Sequence, residues 1–583
     1  MGGFELFLVR RITAIVLFFM TIFNCMSGVG KVKEETTEVN GSLVCTDALG
    51  RSVTTAGNSE KLVGVFYFLW HGQHSSKRII DNSKLVKEHP EAITSEEAWI
   101  AAGGGAEQEF HHWGEPLLGY YSADDAWVFR KHVQMLTDAA VDFIVIDTTN
   151  AFTYSQPMKK LIDVWYEYYI KGWKVPKIAY YTNSYSGDTM NRIYDEIYNN
   201  PELSSKYPRL DELWFCMDGK PMIVGNNNDG NLRQDVSEYF RIKASQWPYE
   251  EKQKDGFPWM EFDRSLTFKS VYKKDGLKIM NVSLAQHSDT FTFSKTAWYG
   301  ANDRTRSWHD GENDTSENAV LYGYNFAEQW EFAIKMNPDI VFVTGFNEWV
   351  AQRQPGNEEY PIQFVDCCDE NASRDFEPSA GILGDNYYLQ LVSYITKFKG
   401  SSSRVVKSEN VTIDINGDFS QWDSRKITAV YKDYDNDIVD RNAPDFAGNI
   451  ITDTSGRNDI VNMKVTEDGD NYYFYVDTVQ PLTPADGGSW MSLFINENMV
   501  INRTAPENGK TAVEKIVDGK FEKIGEAEIR YEGNKLMLSI SKCVPEISDG
   551  FSFKWADNYI ENNVYSFYTS GDSAPYGRLC YRY

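Results

Sequence analysis

Apolar and polar positions follow two rhythms along this chain, and the change of rhythm divides it. Between about residues 60 and 398, short apolar runs alternate with segments in which apolar residues recur every three or four positions. The first pattern marks strands covered on both faces, the second amphipathic helices. Leu-Val-Gly-Val-Phe-Tyr-Phe-Leu at 62–69 reads as the first strand, and 141–146 as the second, ending in Asp147-Thr148-Thr149-Asn150. Between them Phe129, Val133, Leu136 and Ala140 fall at helical spacing, behind Ser122 and Asp125 as capping residues. Further strands are expected at 177–183, 266–272, 279–286, 296–298 and 340–345, and 214–224 reads as a hairpin-like strand pair with Asp218-Gly219-Lys220-Pro221 as its turn. Helices are expected at 158–171, 188–198, 236–244, 324–336 and 387–398. About eight alternations of strand and helix predict an α/β domain, a (β/α)8 TIM barrel over 60–398. A doubly wound sheet is the alternative, but a nucleotide site there would want a Gly-rich phosphate loop after the first strand, and none follows it.

Residues 399–408, Lys-Gly-Ser-Ser-Ser-Arg-Val-Val-Lys-Ser, form a polar linker. Beyond it the rhythm drops to two. Strands at 472–476 and 490–495, separated by Gly, Asn and Asp turns, predict an all-β sandwich over 409–583. At the other end, Arg10 and Arg11 precede an apolar run at 12–23, followed by Ser27 and Gly28. A bilayer span needs about 20 apolar residues. Residues 1–30 therefore read as a signal peptide, with a polar leader at 31–59, and the protein is expected to be exported to the periplasm, cell surface or medium. Cys25 is a candidate lipid anchor, and with it the membrane contact expected of this chain.

Composition narrows the partners. At 583 residues two or three domains are expected, and a net charge of −26 argues against nucleic acid or an anionic surface as the main partner. Aromatic residues make up 14%, with 16 Trp and 35 Tyr. Such rings stack on sugar faces as well as filling cores. Cys543 and Cys580 are a plausible disulfide, whereas a bond between adjacent Cys367 and Cys368 would be strained.

The strand ends carry the polar residues: Trp70 and His71, Asp147 and Asn150, Asn183, His287, Trp298 and Tyr299, Asn347 and Glu348. In a barrel they converge on one face. Glycoside hydrolysis needs one carboxyl group to protonate the leaving oxygen and a second to act as base or nucleophile. The candidates are Glu348, Asp147 and Glu115, with Asp366 and Asp369 behind them. Each also has a structural reading: Glu348 as partner of an arginine such as Arg353, Asp147 as a helix cap, Glu115 as a solvated loop acid. Arg374 and Asp375 read as an ion pair. His71, His111 and His112 lack a fourth ligand at a recognisable spacing, so no metal is expected in the barrel. Acidic turns at Asp433, Asp435 and Asp437 admit a structural calcium in the sandwich, with solvated turns as the alternative. No Gly-x-Ser-x-Gly elbow supports a serine hydrolase.

Taken together, Trp70-His71-Gly72, the His111-His112-Trp113-Gly114-Glu115-Pro116 loop, the Asp218-Gly219-Lys220-Pro221 turn and Phe346-Asn347-Glu348-Trp349 resemble the barrel glycosidases related to the endo-α-mannosidases of glycoside hydrolase family 99 and their family 71-like relatives. The resemblance covers roughly residues 60–400, and Asn347-Glu348-Trp349 is its most specific part. It implies a catalytic role for Glu348. It also implies a second Glu three residues later, where this chain has Ala351. A second acid must then come from elsewhere, with Asp147 and Glu115 as candidates. Ile415-Asn-Gly-Asp-Phe-Ser-Gln-Trp422, with Asn458-Asp459 after it, resembles the opening of family 9 carbohydrate-binding modules. In such modules exposed Trp rings hold sugar. Trp490 and Trp555 are the candidates, with core positions as their alternative.

The expectation is a secreted glycoside hydrolase acting on a poly- or oligosaccharide. Trp70, Trp113 and Trp349 would stack on sugar rings. His71, His112, Asn150, Asn183, His287, Trp298, Tyr299 and Asn347 would complete the subsites. The rival is a non-catalytic glycan-capture protein with a degenerate barrel, favoured by Ala351.

Overall fold

The computed structural model describes residues 42–74, 78–248, 250–260, 271–286, 297–299, 304–365, 367–401, 407–544, 547 and 550–583. The whole of the expected signal peptide, with Cys25, lies outside them, as do His287 and Asp366. The chain forms two compact units. One holds 61–113 and 141–375, the other 37–60, 114–140 and 376–583.

The first unit is built on eight parallel strands: β1 (Leu62–Tyr67), β2 (Phe143–Thr148), β3 (Lys177–Thr182), β4 (Lys220–Gly225), β5 (Arg241–Gln246), β6 (Gly256–Pro258), β7 (Leu277–Ser283) and β8 (Ile340–Thr344). They are hydrogen-bonded in the order β6-β5-β4-β3-β2-β1-β8-β7. This is the cyclic order of a (β/α)8 barrel, opened between β6 and β7, with Tyr272–Lys274 as an antiparallel edge on β7. Side chains bridge the opening. Asn281 on β7 donates to the Trp259 carbonyl after β6 at 3.0 Å and to Thr344 Oγ1 on β8 at 2.7 Å. Thr344 donates to the same carbonyl.

Strands β2 and β8 are buried at every position because both faces are covered. The interior is filled by side chains. Phe66, Phe68, Phe143, Val145, Tyr181, Val224, Phe257 and Phe342 belong to one cluster, and burying each large ring contributes about 1.5–3 kcal/mol. Gly64 follows from this packing: a Cβ there would lie 2.3 Å from the Phe143 ring.

Two expected strands differ. Residues 297–299 form a 3₁₀ turn, and 266–272 lies largely outside the described residues. Their places in the barrel are taken by β5 and β6. The expected helix at 236–244 stops early, since the helix is Gln234–Tyr239 and Arg241–Gln246 is a strand. The helical spacing runs on through Phe240 to Ala244, and pairing with β4 on one side and β6 on the other overrides it.

The second unit carries an antiparallel, sandwich-like sheet over 429–582. One core cluster joins Ile413, Ile415, Phe419 and Trp422 to Tyr473, Tyr475 and Met537. Trp490 and Trp555 are buried core residues too, so neither offers a ring to a glycan. The same unit includes the helices Ala126–Asp138 and Asn386–Lys399, upstream of the 399–408 linker. It also includes a hairpin from the polar leader, in which Val44–Thr46 pairs with Ser52–Thr54 and Val44 bridges to Cys580. Cys543 is exposed and Cys580 buried, and both are free thiols, so the plausible disulfide is not formed.

Candidate functional site

Residues past the C-terminal strand ends make the candidate site of the barrel unit. Side chains alternate across a strand. Asp147 therefore shares the interior face with Phe143 and Val145, and Asn183 shares it with Ala179 and Tyr181. Asp147 is 7% exposed. Its Oδ1 accepts from the Thr149 amide at 3.0 Å, a local turn rather than a cap, because the next helix starts only at Ser155.

Glu348, 3% exposed, is held by two hydrogen bonds from Arg374: Nε to Oε2 at 3.0 Å and Nη2 to Oε1 at 2.6 Å. This fork keeps Glu348 a carboxylate and aims it. The guanidinium also lies 5.1 Å from the Trp259 ring centre. Gly345, at φ +81°, permits the approach, since a Cβ there would meet the Arg374 carbonyl oxygen at 2.7 Å. The arginine of the structural reading is thus Arg374 and not Arg353, which pairs instead with Glu96.

Asn347 works on the backbone. Its Oδ1 accepts from the Phe68 amide at 2.9 Å and its Nδ2 donates to the Phe68 carbonyl at 3.1 Å. The carboxamide continues the β8–β1 ladder one step beyond the strands. Trp349 is fully buried, with His71 stacked at 4.1 Å between ring centres and His112 at 5.8 Å. His71, His112 and Trp113 are buried as well. Enclosed rings offer no face to a sugar, so the subsite roles expected of Trp113 and Trp349 do not fit their packing.

The strand Val350–Gln354 runs antiparallel to Phe110–His112, with Ala351 opposite His111. Ala351 packs with Trp99, Trp113, Ile362 and Phe364. A carboxylate at this position would be desolvated among rings, a costly placement without a partner. His111 sits in the same region, its Nδ1 2.9 Å from Asn82 Oδ1. Burial, then the neighbouring His112 and Arg78 charges, push its pKa down to about 3. Trp298 packs near Trp99 and Phe364, and Tyr299 donates to the Ile93 carbonyl at 3.0 Å, its pKa pushed up to about 12 by burial. Both belong to this side cluster rather than to a strand end.

A second group of rings remains accessible. Trp70 lies edge-on to His74 and Phe110, and His74 stacks on Phe110 at 5.2 Å. His74 Nε2 and Asn150 Nδ2 both reach the Tyr154 hydroxyl, at 3.2 and 2.9 Å. Burial, then the Asp147 charge, raise the Tyr154 pKa. Asn183 Oδ1 accepts from Trp247 Nε1 at 2.7 Å, and Trp247 packs on Trp259. Phe152 is 54% exposed and Tyr185 76%. Tyr154 and Tyr185 hold left-handed backbone, at φ 48° and 47°, each just ahead of a helix. Such strain costs about 1–3 kcal/mol per residue and concentrates at functional sites.

The structure therefore joins Trp70, Asn150 and Asp147 around His74 and Tyr154, and Asn183 to Trp247. His74, Phe152, Tyr154, Tyr185 and Trp247 escape sequence reasoning, and Arg374, expected to pair with Asp375, holds Glu348 instead. Position just past a strand end is the one signal that could have found most of them. Glu115 belongs to the other unit, where its carbonyl accepts from the Ala380 amide.

No protein-family model matches the chain, and no curated protein matches it. It is similar to two solved structures of the endo-α-mannosidase of glycoside hydrolase family 99 from Bacteroides thetaiotaomicron. In the complex with bis-tris-propane the identity is 14%, covering 58% of this chain and 96% of that chain at a TM-score of 0.34. In the other the identity is 14%, covering 58% and 97% at a TM-score of 0.35.

Proposed function

We propose that the barrel unit is a glycoside hydrolase acting on a poly- or oligosaccharide, with Asp147 and Glu348 as its two carboxylates. The observation that carries this reading is their position. They stand at the C-terminal ends of β2 and β8, on either side of β1. Two strand spacings amount to about 10 Å between backbones. Side chains can bring the carboxyl groups from there into the roughly 5–10 Å range that two-carboxylate hydrolysis uses. Glu348, held charged by Arg374, takes the part of base or nucleophile. Asp147, beside the Tyr154 group, takes that of the acid. Exposed Phe152 and Tyr185, with Trp70 and Trp247, supply stacking faces. Export through residues 1–30, and a glycan-binding role for the sandwich by residues other than Trp490 and Trp555, belong to the same reading.

A glycan panel assayed for newly released reducing ends tests it. Asp147→Asn is expected to lower turnover about 10²–10⁴-fold, with glycan affinity retained. Full activity in that variant would sink the assignment. The second reading, glycan capture without turnover, is favoured by the buried Arg374–Glu348 pair and by the packing of Ala351. It predicts binding with no released sugar in the unmutated protein, and the same affinity in Asp147→Asn and Glu348→Gln.

A further inference from the structure

We propose that Asp437, Asp459 and Asp572 of the second unit bind one hard divalent cation, of which calcium fits best. The three come from distant parts of the chain, and a carboxylate oxygen of each lies within 4.8 Å of the others. That is the largest spacing open to ligands at about 2.4 Å from a shared ion. All three residues are at least nine-tenths buried, at 0%, 9% and 3% exposure.

Clustered acids alone would not make a site. Here each carboxylate is divided in the same way. One oxygen is held by the protein: Asp437 Oδ2 by Gln134 Nε2 at 2.9 Å and Lys131 Nζ at 3.5 Å, Asp459 Oδ2 by the Asn436 amide at 2.8 Å, Asp572 Oδ2 by the Ile460 amide at 2.7 Å. The other oxygen, Oδ1 in all three, is buried with no hydrogen-bond partner among the described residues. Buried polar atoms are almost always satisfied. Three orphaned carboxyl oxygens in one small volume are a strong exception, and a cation removes it.

The held oxygens fix each carboxylate's orientation, as outer contacts do around bound metals. Lys131 reaches Asp437 Oδ2, and its charge and that of buried Lys554 also act on Asp459 and Asp572, but neither ammonium hydrogen-bonds an Oδ1 oxygen. Asp433 Oδ2 and Gln134 Oε1 are buried without partners as well and are further oxygen donors in the same unit. The donor set is all oxygen, without His or Cys, which selects a hard cation over zinc. A cleft is lined by Lys131, Ile438, Gly571 and Ser573, the last three next to Asp437 or Asp572 in sequence. The acidic run at 433–437 thus contributes Asp437, while the other two ligands come from elsewhere.

The full chain, stripped with chelator and dialysed, is titrated with Ca²⁺ by calorimetry and melted with and without the ion. The expected result is one Ca²⁺ per chain and, at about a hundredfold excess over Kd, a rise in Tm of roughly 5–10 °C for the second unit's transition. Asp459→Asn, which keeps an acceptor for the Asn436 amide, is expected to weaken binding at least tenfold. Should that variant fail to fold, Tb³⁺ emission from the unmutated chain, excited through its aromatic residues and displaced by Ca²⁺, reads the same site. No heat, no change in Tm and no displaceable Tb³⁺ signal would overturn the proposal.

Discussion

Glu348 shows how one residue's burial sets its chemistry. Its carboxylate and the Arg374 guanidinium are both almost fully buried and share a two-pronged hydrogen bond. Removing one partner leaves an uncompensated buried charge, at a cost of about 3–5 kcal/mol. Arg374→Met should lower unfolding free energy by that amount, and the double change Arg374→Met with Glu348→Gln should recover much of it. Urea melts of the four species check the prediction, and additive losses would contradict a coupled pair. His111 gives the corresponding statement about pH. Its folded pKa, about 3, lies below the value near 6.5 of an unfolded histidine. Between those limits the unfolded chain binds the extra proton. The stability contribution is complete above pH 6.5 and drains away as pH falls toward 3, by up to about 1.4 kcal/mol per pH unit. Melts from pH 7.5 to 4.5 should flatten in this window in His111→Gln.

At the scale of elements, the site depends on how strand ends are tied. The Asn347 carboxamide satisfies the Phe68 amide and carbonyl where the β8–β1 ladder has run out. Asn347→Ala orphans both buried groups and should destabilise the barrel unit by about 1–3 kcal/mol per group at most, while Asn347→Asp, which keeps one acceptor, should cost less on the amide side. Hydrogen exchange at Phe68 reads the effect directly. Strands β1, β2, β3 and β8 were legible because each is a continuous apolar run. Strand β5 was not. Val236, Phe240 and Ala244 fall four apart and imitate a helix, and only the flanking strands β4 and β6 pull 241–246 into the sheet. Strand β6, with three residues, is too short for any periodicity to register.

At the scale of the whole molecule, the chain does not divide at one point. The second unit gathers 37–60, 114–140 and 376–583. Buried polar and charged pairs join these pieces within it. Arg441 donates to Asp125 at 2.7 Å, Arg578 grips Asp385 at 2.9 and 3.1 Å, and His132 lies 2.9 Å from Glu377. A fragment of 409–583 alone would strand Arg441 and Arg578 without their acids. It should show no cooperative thermal transition by circular dichroism, whereas the full chain should. A sharp melt of the fragment would count against this account of the unit.

Some of this was settled by sequence alone. The alternation of apolar runs with helical spacing specifies a barrel, and the later period of two specifies an antiparallel sheet, because local periodicity records which faces are covered. The candidate acids Glu348 and Asp147 were legible for the same reason, standing where apolar runs stop. What tertiary structure decided is which groups meet. Arg374 rather than Arg353 answers Glu348, Ala351 faces a wall of rings, and Asp437 finds Asp459 and Asp572. Most of these pairings span between about 20 and 250 positions of chain, over which hydrophobic pattern carries no register. Only the packed fold brings such side chains within a few ångströms of one another.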